Sequence, residues 1–381
     1  MRILFCQNHP KRWTWGSPKS VLRLAQELQA RGHTVDFVFQ DDMPARLSGH
    51  RLAFLTFPLF VAQTVLREAH RYDVVDIASG DGWLYGLVQR ARRRAPVFVK
   101  RVLGLEHLDW EQRQEEARRG LERISPQHRL WFGYFRLHQV EWAARLSDHV
   151  LCLCETDRRY IVQRGWQPQV RTSVVAPGVE HCYFSQGNVR PRRNLLFVGS
   201  WHPRKGITYL ARAFAVAAQQ CPDMRLSVAG AGVPAAQVQR AFPPAMRRRV
   251  IVLPELSEEQ LAELYAGHTA FVFPSLYEGF GMAFLEAMAS GTPVVGTPTG
   301  GMADLIEDGR NGLIVARRDV PGLAKALERL LGDPAYARSL GEQGRATART
   351  YTWERAARST LEAYERALSG VRALQCVESL R

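Results

Sequence analysis

The sequence predicts two doubly wound α/β domains, and three observations support this fold class. Short apolar strands alternate with amphipathic helical segments along the whole chain. The strands are apolar or β-branched on both faces, as parallel strands covered by helices require. The pattern restarts after a stretch rich in Gly, Arg, Pro and Asn at 186–194, and 381 residues exceed what one ordinary core holds.

Strands are predicted six to a half: at 2–6, 34–39, 73–77, 97–102, 149–154 and 171–175, and then at 195–198, 225–229, 250–253, 270–273, 293–296 and 312–315. We therefore predict an N-terminal domain over 1–188 and a C-terminal domain over 189–352. The last segment, 353–381, has a helical pattern, and its packing on the N-terminal domain stays open. Such sheets bind ligands outside the carboxyl ends of their strands, so we expect the two domains to face each other across a cleft.

The composition is that of a globular protein, with 46% hydrophobic and 23% charged residues. No apolar signal core follows Met1, and the longest apolar stretch, 52–66, is shorter than a membrane span needs. We expect a cytoplasmic location. The six cysteines include no Cys-x-x-Cys pair, which indicates packed, reduced thiols.

The net charge of +14 favours an anionic partner. The densest basic run comprises Arg90, Arg92, Arg93, Arg94, Lys100 and Arg101, without an acidic residue in 89–101. Anionic lipid head groups, a pyrophosphate-linked acceptor and a solvated basic face without a partner are the open alternatives. Nucleic acid is not expected, because no RNA- or DNA-reading motif accompanies the charge.

The segment 274–295 carries the most chemistry. A strand ends at Pro274, a loop with Gly279 and Gly281 follows, and a helix is predicted from 281 to 290. Glycines allow a ligand to approach the backbone, and a helix N-terminus attracts phosphate. Glu286 lies among apolar neighbours on this helix, so its carboxylate needs a partner such as ribose hydroxyls, and Glu278 in the loop is placed to contact a sugar.

A second segment, 196–206, places two cations at the start of a helix. Arg204 and Lys205 follow a strand and a turn, just before Gly206. Cations at a helix N-terminus oppose the helix dipole, which indicates that an anion binds between them.

These segments resemble the motif of two glutamates separated by seven residues in the retaining glycosyltransferases of family 4, which have the GT-B fold. The likeness continues through Gly291-Thr-Pro-Val-Val, Gly300-Gly301 and 308–315. It implies that Glu286 binds the donor ribose and Glu278 contacts the transferred sugar. It further implies that the amides of Gly279, Phe280 and Gly281 face the diphosphate or the sugar.

The resemblance also implies that Lys205 neutralises the donor diphosphate. The family has an arginine with the same role, at a position where this chain has Ser200. Arg204 is our candidate replacement. The donor base is expected near Leu256, where backbone contacts carry no side-chain code.

The N-terminal half matches the family more loosely. Gly16 and Ser17 occupy the place of its glycine-rich loop over the diphosphate. The histidine that contacts the donor sugar would fall at Leu103. Either His107 substitutes for it or this contact is absent.

The resemblance implies a retaining hexosyl transfer from a UDP- or GDP-linked sugar, without a cofactor or a metal ion. The expected acceptor is a sugar or a lipid-linked molecule in cell-envelope, lipopolysaccharide or exopolysaccharide synthesis. Alternatives are a phosphorylase, an epimerase, a basic nucleic-acid-binding protein or an inactive relative.

Peripheral association with the inner face of the membrane is a further hypothesis. Its basis is the apolar stretch 54–60, flanked by Arg46, Arg51, Arg67 and Arg71, together with the basic run. The alternative is that 54–60 forms a core strand and its turn.

Overall fold

The computed structural model describes residues 1–11, 16–44, 53–89, 95–185 and 192–379. The chain forms two compact units. One comprises Met1–Pro177 together with Trp353–Arg381, and the other is Gly178–Thr352. The sequence-based division falls later, after residue 188, and the C-terminal helical segment is grouped with the first unit.

The first unit contains a six-stranded parallel sheet. Its strands are β1 (Arg2–Gln7), β2 (Thr34–Phe39), β3 (Val74–Ala78), β4 (Val97–Val102), β5 (His149–Cys152) and β6 (Thr172–Val174), in the order β2-β1-β3-β4-β5-β6. Its helices are α1 (Gly16–Ala30), α2 (Ala53–Glu68), α3 (Trp83–Gln89), α4 (Glu106–Arg118), α5 (Pro126–Leu130), α6 (Leu137–Leu146) and α7 (Glu155–Gln163). A π-helical turn, Trp131–Arg136, joins α5 to α6.

The second unit repeats this plan. Its strands are β7 (Arg192–Val198), β8 (Arg225–Ala229), β9 (Val250–Val252), β10 (His268–Phe273), β11 (Val294–Gly296) and β12 (Leu313–Ile314), all parallel, in the order β12-β11-β10-β7-β8-β9. Its helices are α8 (Ile207–Gln220), α9 (Ala235–Arg240), α10 (Glu258–Ala266), α11 (Met282–Ala289), α12 (Gly301–Leu305), α13 (Val320–Gly332) and α14 (Pro334–Ala348). The predicted fold class is confirmed, with a strand at each predicted position.

The C-terminal helix α15 (Trp353–Ser379) packs on α1 and on strands β4 and β5. A buried polar network anchors it. The Tyr364 hydroxyl donates to Asp76 Oδ2 at 2.6 Å, and Arg101 Nη2 donates to the same oxygen at 2.7 Å. All three side chains are buried, so each charge depends on its partner within the protein.

Lys100 and Arg101 are buried on β4, which corrects the prediction that they belong to a basic surface. A central parallel strand is covered on both faces. Lys100 Nζ donates to the carbonyls of Ser79 and Val140, at 2.5 and 3.1 Å. Burial lowers the pKa of Lys100 to about 8. The other members of the run, Arg90, Arg92, Arg93 and Arg94, lie outside the described residues, as do Arg46 and Arg51.

Helix α2 occupies the apolar stretch, so the core-strand alternative for 54–60 is wrong. Phe57 is fully buried on the inner face of α2, whereas Leu55 and Leu59 are 37% and 51% exposed. The alternation of buried and exposed positions follows the helical period, which a short apolar run does not reveal by itself. Within the described ranges, no helix is long and apolar enough to cross a bilayer.

Candidate active site

The turn that carries Lys205 is brought against the end of β10 by a glycine. Pro203–Lys205 forms a 3-10 turn, and Gly206 follows with φ of 69°. A Cβ at Gly206 would lie 1.9 Å from the Pro274 carbonyl oxygen, so only glycine fits there. The Leu276 amide donates to the Arg204 carbonyl at 2.8 Å. The segments after β7 and β10 are therefore held together at the carboxyl ends of neighbouring strands.

Lys205 and Glu278 form a direct ion pair there. Lys205 Nζ lies 2.7 and 3.0 Å from the two carboxylate oxygens of Glu278, and the side chains are 13% and 6% exposed. The Ser275 hydroxyl donates to Glu278 Oε1 at 2.7 Å. Lys205 Nζ also lies 4.8 Å from the centroid of the Phe273 ring. The Lys205–Glu278 pair is thus held by its mutual contact, by Ser275 and by the Phe273 ring, and it is largely shielded from water.

The loop of Gly279, Phe280 and Gly281 leads into α11. Gly281 has φ of 96° and immediately precedes the helix, which has no side-chain cap in the described chain. The Gly301 amide donates to the Phe280 carbonyl at 2.9 Å, and Phe280 is buried. The amide of Phe284 donates to the Gly281 carbonyl at 3.0 Å, whereas no capping side chain among the described residues competes with an anion for the first two amides of α11.

Glu286 finds a protein partner that the sequence did not specify. It is 8% exposed on α11, and its Oε2 accepts a hydrogen bond of 3.1 Å from the Tyr265 hydroxyl on α10. Burial and then the Glu286 charge raise the pKa of Tyr265. Tyr183 packs edge-on against Tyr265, with ring centroids 5.9 Å apart. The hydroxyl of Tyr265 therefore orients the carboxylate.

The remaining residues predicted in this unit lie around the same strand ends. Arg204 is half-buried in the 3-10 turn beside Lys205, and its amide donates to His202 Nδ1 at 3.2 Å. Ser200 is exposed after β7. Leu256 is half-buried just before Ser257, the N-cap of α10.

The predicted residues of the first unit have different surroundings. Helix α1 begins at Gly16, and the Ser17 hydroxyl accepts from Gln7 Nε2 at 3.1 Å. His107 lies in the first turn of α4 with its ring centroid 4.6 Å from that of Trp166. Burial, followed by the Lys100 charge, lowers the pKa of His107 to about 3. His107 is therefore a neutral ring packed among aromatic side chains.

Sequence reasoning missed a charged cluster at the carboxyl end of β3, in which Asp81 is buried and Arg136 and Glu106 are half-buried. Arg136 Nη1 donates to Asp81 Oδ1 at 2.7 Å, and its Nη2 donates to the Ser79 hydroxyl at 2.8 Å. Glu106 Oε1 lies 3.5 Å from Arg136 Nη2. The sequence signal for this cluster is Gly80-Asp-Gly directly after a predicted strand. A charged residue between two glycines at that position indicates a loop that binds a ligand.

Family models match most of the chain. Residues 192–333 match the model described as glycosyl transferases group 1, and residues 16–182 match the one described as glycosyltransferase family 4. A D-inositol 3-phosphate glycosyltransferase of Frankia alni is 30% identical over 87% of this chain and 82% of its own length. A relative of the same name from a Nocardioides strain is 30% identical over 62% of this chain, and only 57% of its length is matched.

Solved structures show the same fold. Sucrose-phosphate synthase of Thermosynechococcus elongatus has a TM-score of 0.78 at 23% identity, over 96% of this chain and 98% of that chain. The Anabaena protein HepE, solved with UDP and glucose, has a TM-score of 0.67 at 18% identity, over 95% and 99%. Both sheets and these likenesses define the GT-B fold. The chain belongs to glycosyltransferase family 4, with its C-terminal half matching the group 1 model.

Proposed function

We propose that the protein transfers a hexosyl group from a nucleotide diphospho-sugar to an acceptor hydroxyl, with retention of anomeric configuration and without a metal ion or cofactor. The observation that carries this proposal is the Lys205–Glu278 pair beside the uncapped start of α11. A cation and helix amides together suit a diphosphate, and the adjacent carboxylate suits the hydroxyls of a sugar.

In this reaction the bond between the sugar C1 and the phosphate oxygen breaks, and a bond from C1 to the acceptor oxygen forms on the same face. The departing phosphate oxygen takes the acceptor proton. Lys205, Arg204 and the amides of α11 stabilise the negative charge that develops on the diphosphate, as fixed electrostatics. Glu286, oriented by Tyr265, binds the ribose.

UDP is the first candidate for the donor nucleotide, because HepE binds UDP and glucose, and GDP is the second. Thermal unfolding in the presence of UDP, GDP and ADP tests the donor half, since ligand binding raises Tm by mass action. We expect UDP or GDP to raise Tm. The anomeric signal of the product in proton NMR then tests retention. Lack of a shift with every nucleotide, together with lack of transfer from their sugars, would overturn the proposal.

We further propose a role at an anionic membrane surface, in the synthesis of a cell-envelope glycan. Its support is an exposed apolar surface on the first unit, formed by Leu55 and Leu59 of α2, Leu87 and Val88 of α3, and Trp142 of α6. Helix α3 packs against both α2 and α6, and these exposed side chains of the three neighbouring helices are called the apolar face. Apolar patches of this kind mark membrane or protein contacts. Anionic lipid is the partner that the net charge of +14 favours.

A further inference from the structure

The first unit carries a charged cluster of Asp81, Glu106 and Arg136 at the carboxyl end of β3, to which no role has been assigned above. Its sheet order is β2-β1-β3-β4-β5-β6. Strand β2 lies on one side of β1 and β3 lies on the other, so the direction of the strand order reverses between β1 and β3. Parallel sheets of this kind bind ligands in the crevice outside the carboxyl ends of the strands at that reversal. Strand β3 ends there at Ala78, and the segment Ser79–Gly82 follows it.

The backbone of this segment is held in an unusual conformation. Ser79 has φ of 57°, a left-handed value that costs a residue with a side chain some strain. A Cβ at Gly80 would lie 2.9 Å from the backbone nitrogen of Val140, so α6 fixes the loop from behind. Strained, tightly packed loops of this kind are concentrated at ligand sites. The result is a fixed position for Asp81, whose exposure is 0%.

The cations of the cluster are already engaged by the protein. Arg136 donates through Nη1 to Asp81 and through Nη2 to Ser79, and Nη2 also lies near Glu106. Lys100 donates to two backbone carbonyls. Two carboxylates and two cations therefore balance each other, and both cations point at protein oxygens. This arrangement does not attract a phosphate.

Around this cluster, most of the buried side-chain atoms that have no described hydrogen-bond partner are acceptors. They include Asp81 Oδ2 and Glu106 Oε2, both buried from solvent, and Gln7 Oε1 at the carboxyl end of β1. Gln7 is 2% exposed. The indole Nε1 of Trp83, a donor, also lacks a described partner. Buried acceptors of this kind require donors from outside the protein, and a hydroxyl group both donates and accepts.

We propose that the cluster of Asp81, Glu106 and Arg136 binds the hydroxyl groups of an uncharged sugar or polyol part of the acceptor. Asp81 and Glu106 accept from these hydroxyls, and Arg136 is a positioning residue that holds both carboxylates. The inference rests on the proposed transferase function and names the acceptor chemistry. Any phosphate of the acceptor binds elsewhere.

Saturation-transfer NMR on the full chain with UDP tests the proposal, with myo-inositol and methyl α-D-glucopyranoside as probes and inorganic phosphate as competitor. We expect saturation of at least one polyol, unaffected by phosphate. Asp81→Asn should weaken that polyol's binding about tenfold or more, because it exchanges a charged acceptor for an amide that presents a donor or a weaker acceptor. Asp223→Asn, the same change at an exposed position, should bind like the parent.

Absence of polyol saturation, displacement by phosphate, or equal binding by Asp81→Asn and the parent would each overturn the inference. Displacement by phosphate would identify the cluster as a phosphate site. Bound water alone would give no saturation of either polyol. Glu106→Gln provides the same test if Asp81→Asn does not fold. The UDP-induced rise in Tm separates the two proposals. If UDP raises Tm but neither polyol binds, the proposed transferase function stands and only the acceptor assignment fails.

Discussion

Lys205 Nζ and the Glu278 carboxylate lie 2.7 Å apart, joining two residues that are 73 positions apart in the chain. Each side chain neutralises the other, and protein groups alone fix the position of the cation. In the proposed function this cation meets the donor diphosphate. Preorganised charge of this kind lowers the reorganisation that accompanies bond breaking.

The pair should be strongly coupled in stability. Lys205→Met and Glu278→Gln should each lower the free energy of unfolding by about 3 kcal/mol, because each leaves a poorly solvated charge or dipole without its partner. The loss of unfolding free energy in the double variant should be smaller than the sum of the two single losses, by at least about 1 kcal/mol. Urea unfolding of the four proteins measures this coupling. Additive losses would mean that the pair contributes nothing beyond its two separate side chains.

The two glutamates should differ in what they do for the donor. Glu286→Ala should weaken UDP binding by about 2–4 kcal/mol, since a charge-assisted ribose contact is lost in a dry pocket. Glu278→Gln should lower turnover while UDP affinity stays close to that of the parent. Calorimetry with UDP and initial rates measure the two effects, and Glu263→Ala, an exposed change on α10, is the control. Equal losses of UDP affinity in both variants would contradict this division of roles.

The sequence predicted positions along the chain better than pairings across it. The strands and the helix after Gly281 followed from apolar periodicity and glycine placement, which are local. The partner of Glu286 was recognised as necessary, but Tyr265 precedes it by 21 residues and belongs to another helix. The Asp81–Arg136 contact joins residues 55 apart and was missed, since one sequence alone carries no signal of which distant side chains meet.

Transfer should not depend on a divalent cation. In the proposed mechanism Lys205, Arg204 and the amides of α11 neutralise the diphosphate, so dialysis against EDTA should leave the rate within about twofold of the untreated enzyme. Initial rates before and after chelation measure this. A loss of activity that added Mg²⁺ restores would contradict the metal-free mechanism and require new ligands for the diphosphate.

His107 should make the fold sensitive to acid. Its pKa is about 3 in the folded protein, below the ordinary value of 6.5, because burial disfavours the imidazolium. Between these pH values the unfolded chain binds the extra proton, so stability falls as pH falls below about 6.5. His107→Phe keeps the ring and removes this loss, about 1.4 kcal/mol for each pH unit.

Denaturant unfolding of parent and His107→Phe from pH 7 to 5 checks the sign, and a parallel pH slope in both would contradict it. The same variant addresses the open alternatives for the donor sugar. If His107 contacts the sugar, His107→Phe lowers turnover at pH 7, where stability is nearly unaffected. Unchanged turnover would favour the absence of this contact.

Membrane association should depend on both charge and the apolar face. We expect the parent to co-sediment with vesicles that contain anionic lipid at low salt and to be released by high salt, which screens the attraction. Leu59→Glu should weaken binding at least about fivefold, because it places a negative charge on the apolar face. Val170→Glu, a change at a side chain 80% exposed elsewhere in the unit, should have a smaller effect. Equal binding by the two variants would exclude α2 from the contact.

The anchor of α15 imposes an order on biosynthesis. Asp76 and Arg101 leave the ribosome long before Tyr364, which follows Asp76 by 288 residues. Until then the ion pair of Asp76 and Arg101 lacks its third partner, Tyr364. The whole second unit is synthesised in this interval. Because domains generally fold as they emerge, the later unit can fold before the earlier one is complete. Nascent chains of this protein should thus acquire protease resistance in the second unit first, and full protection of the first unit should come only after residues 353–379 have been released.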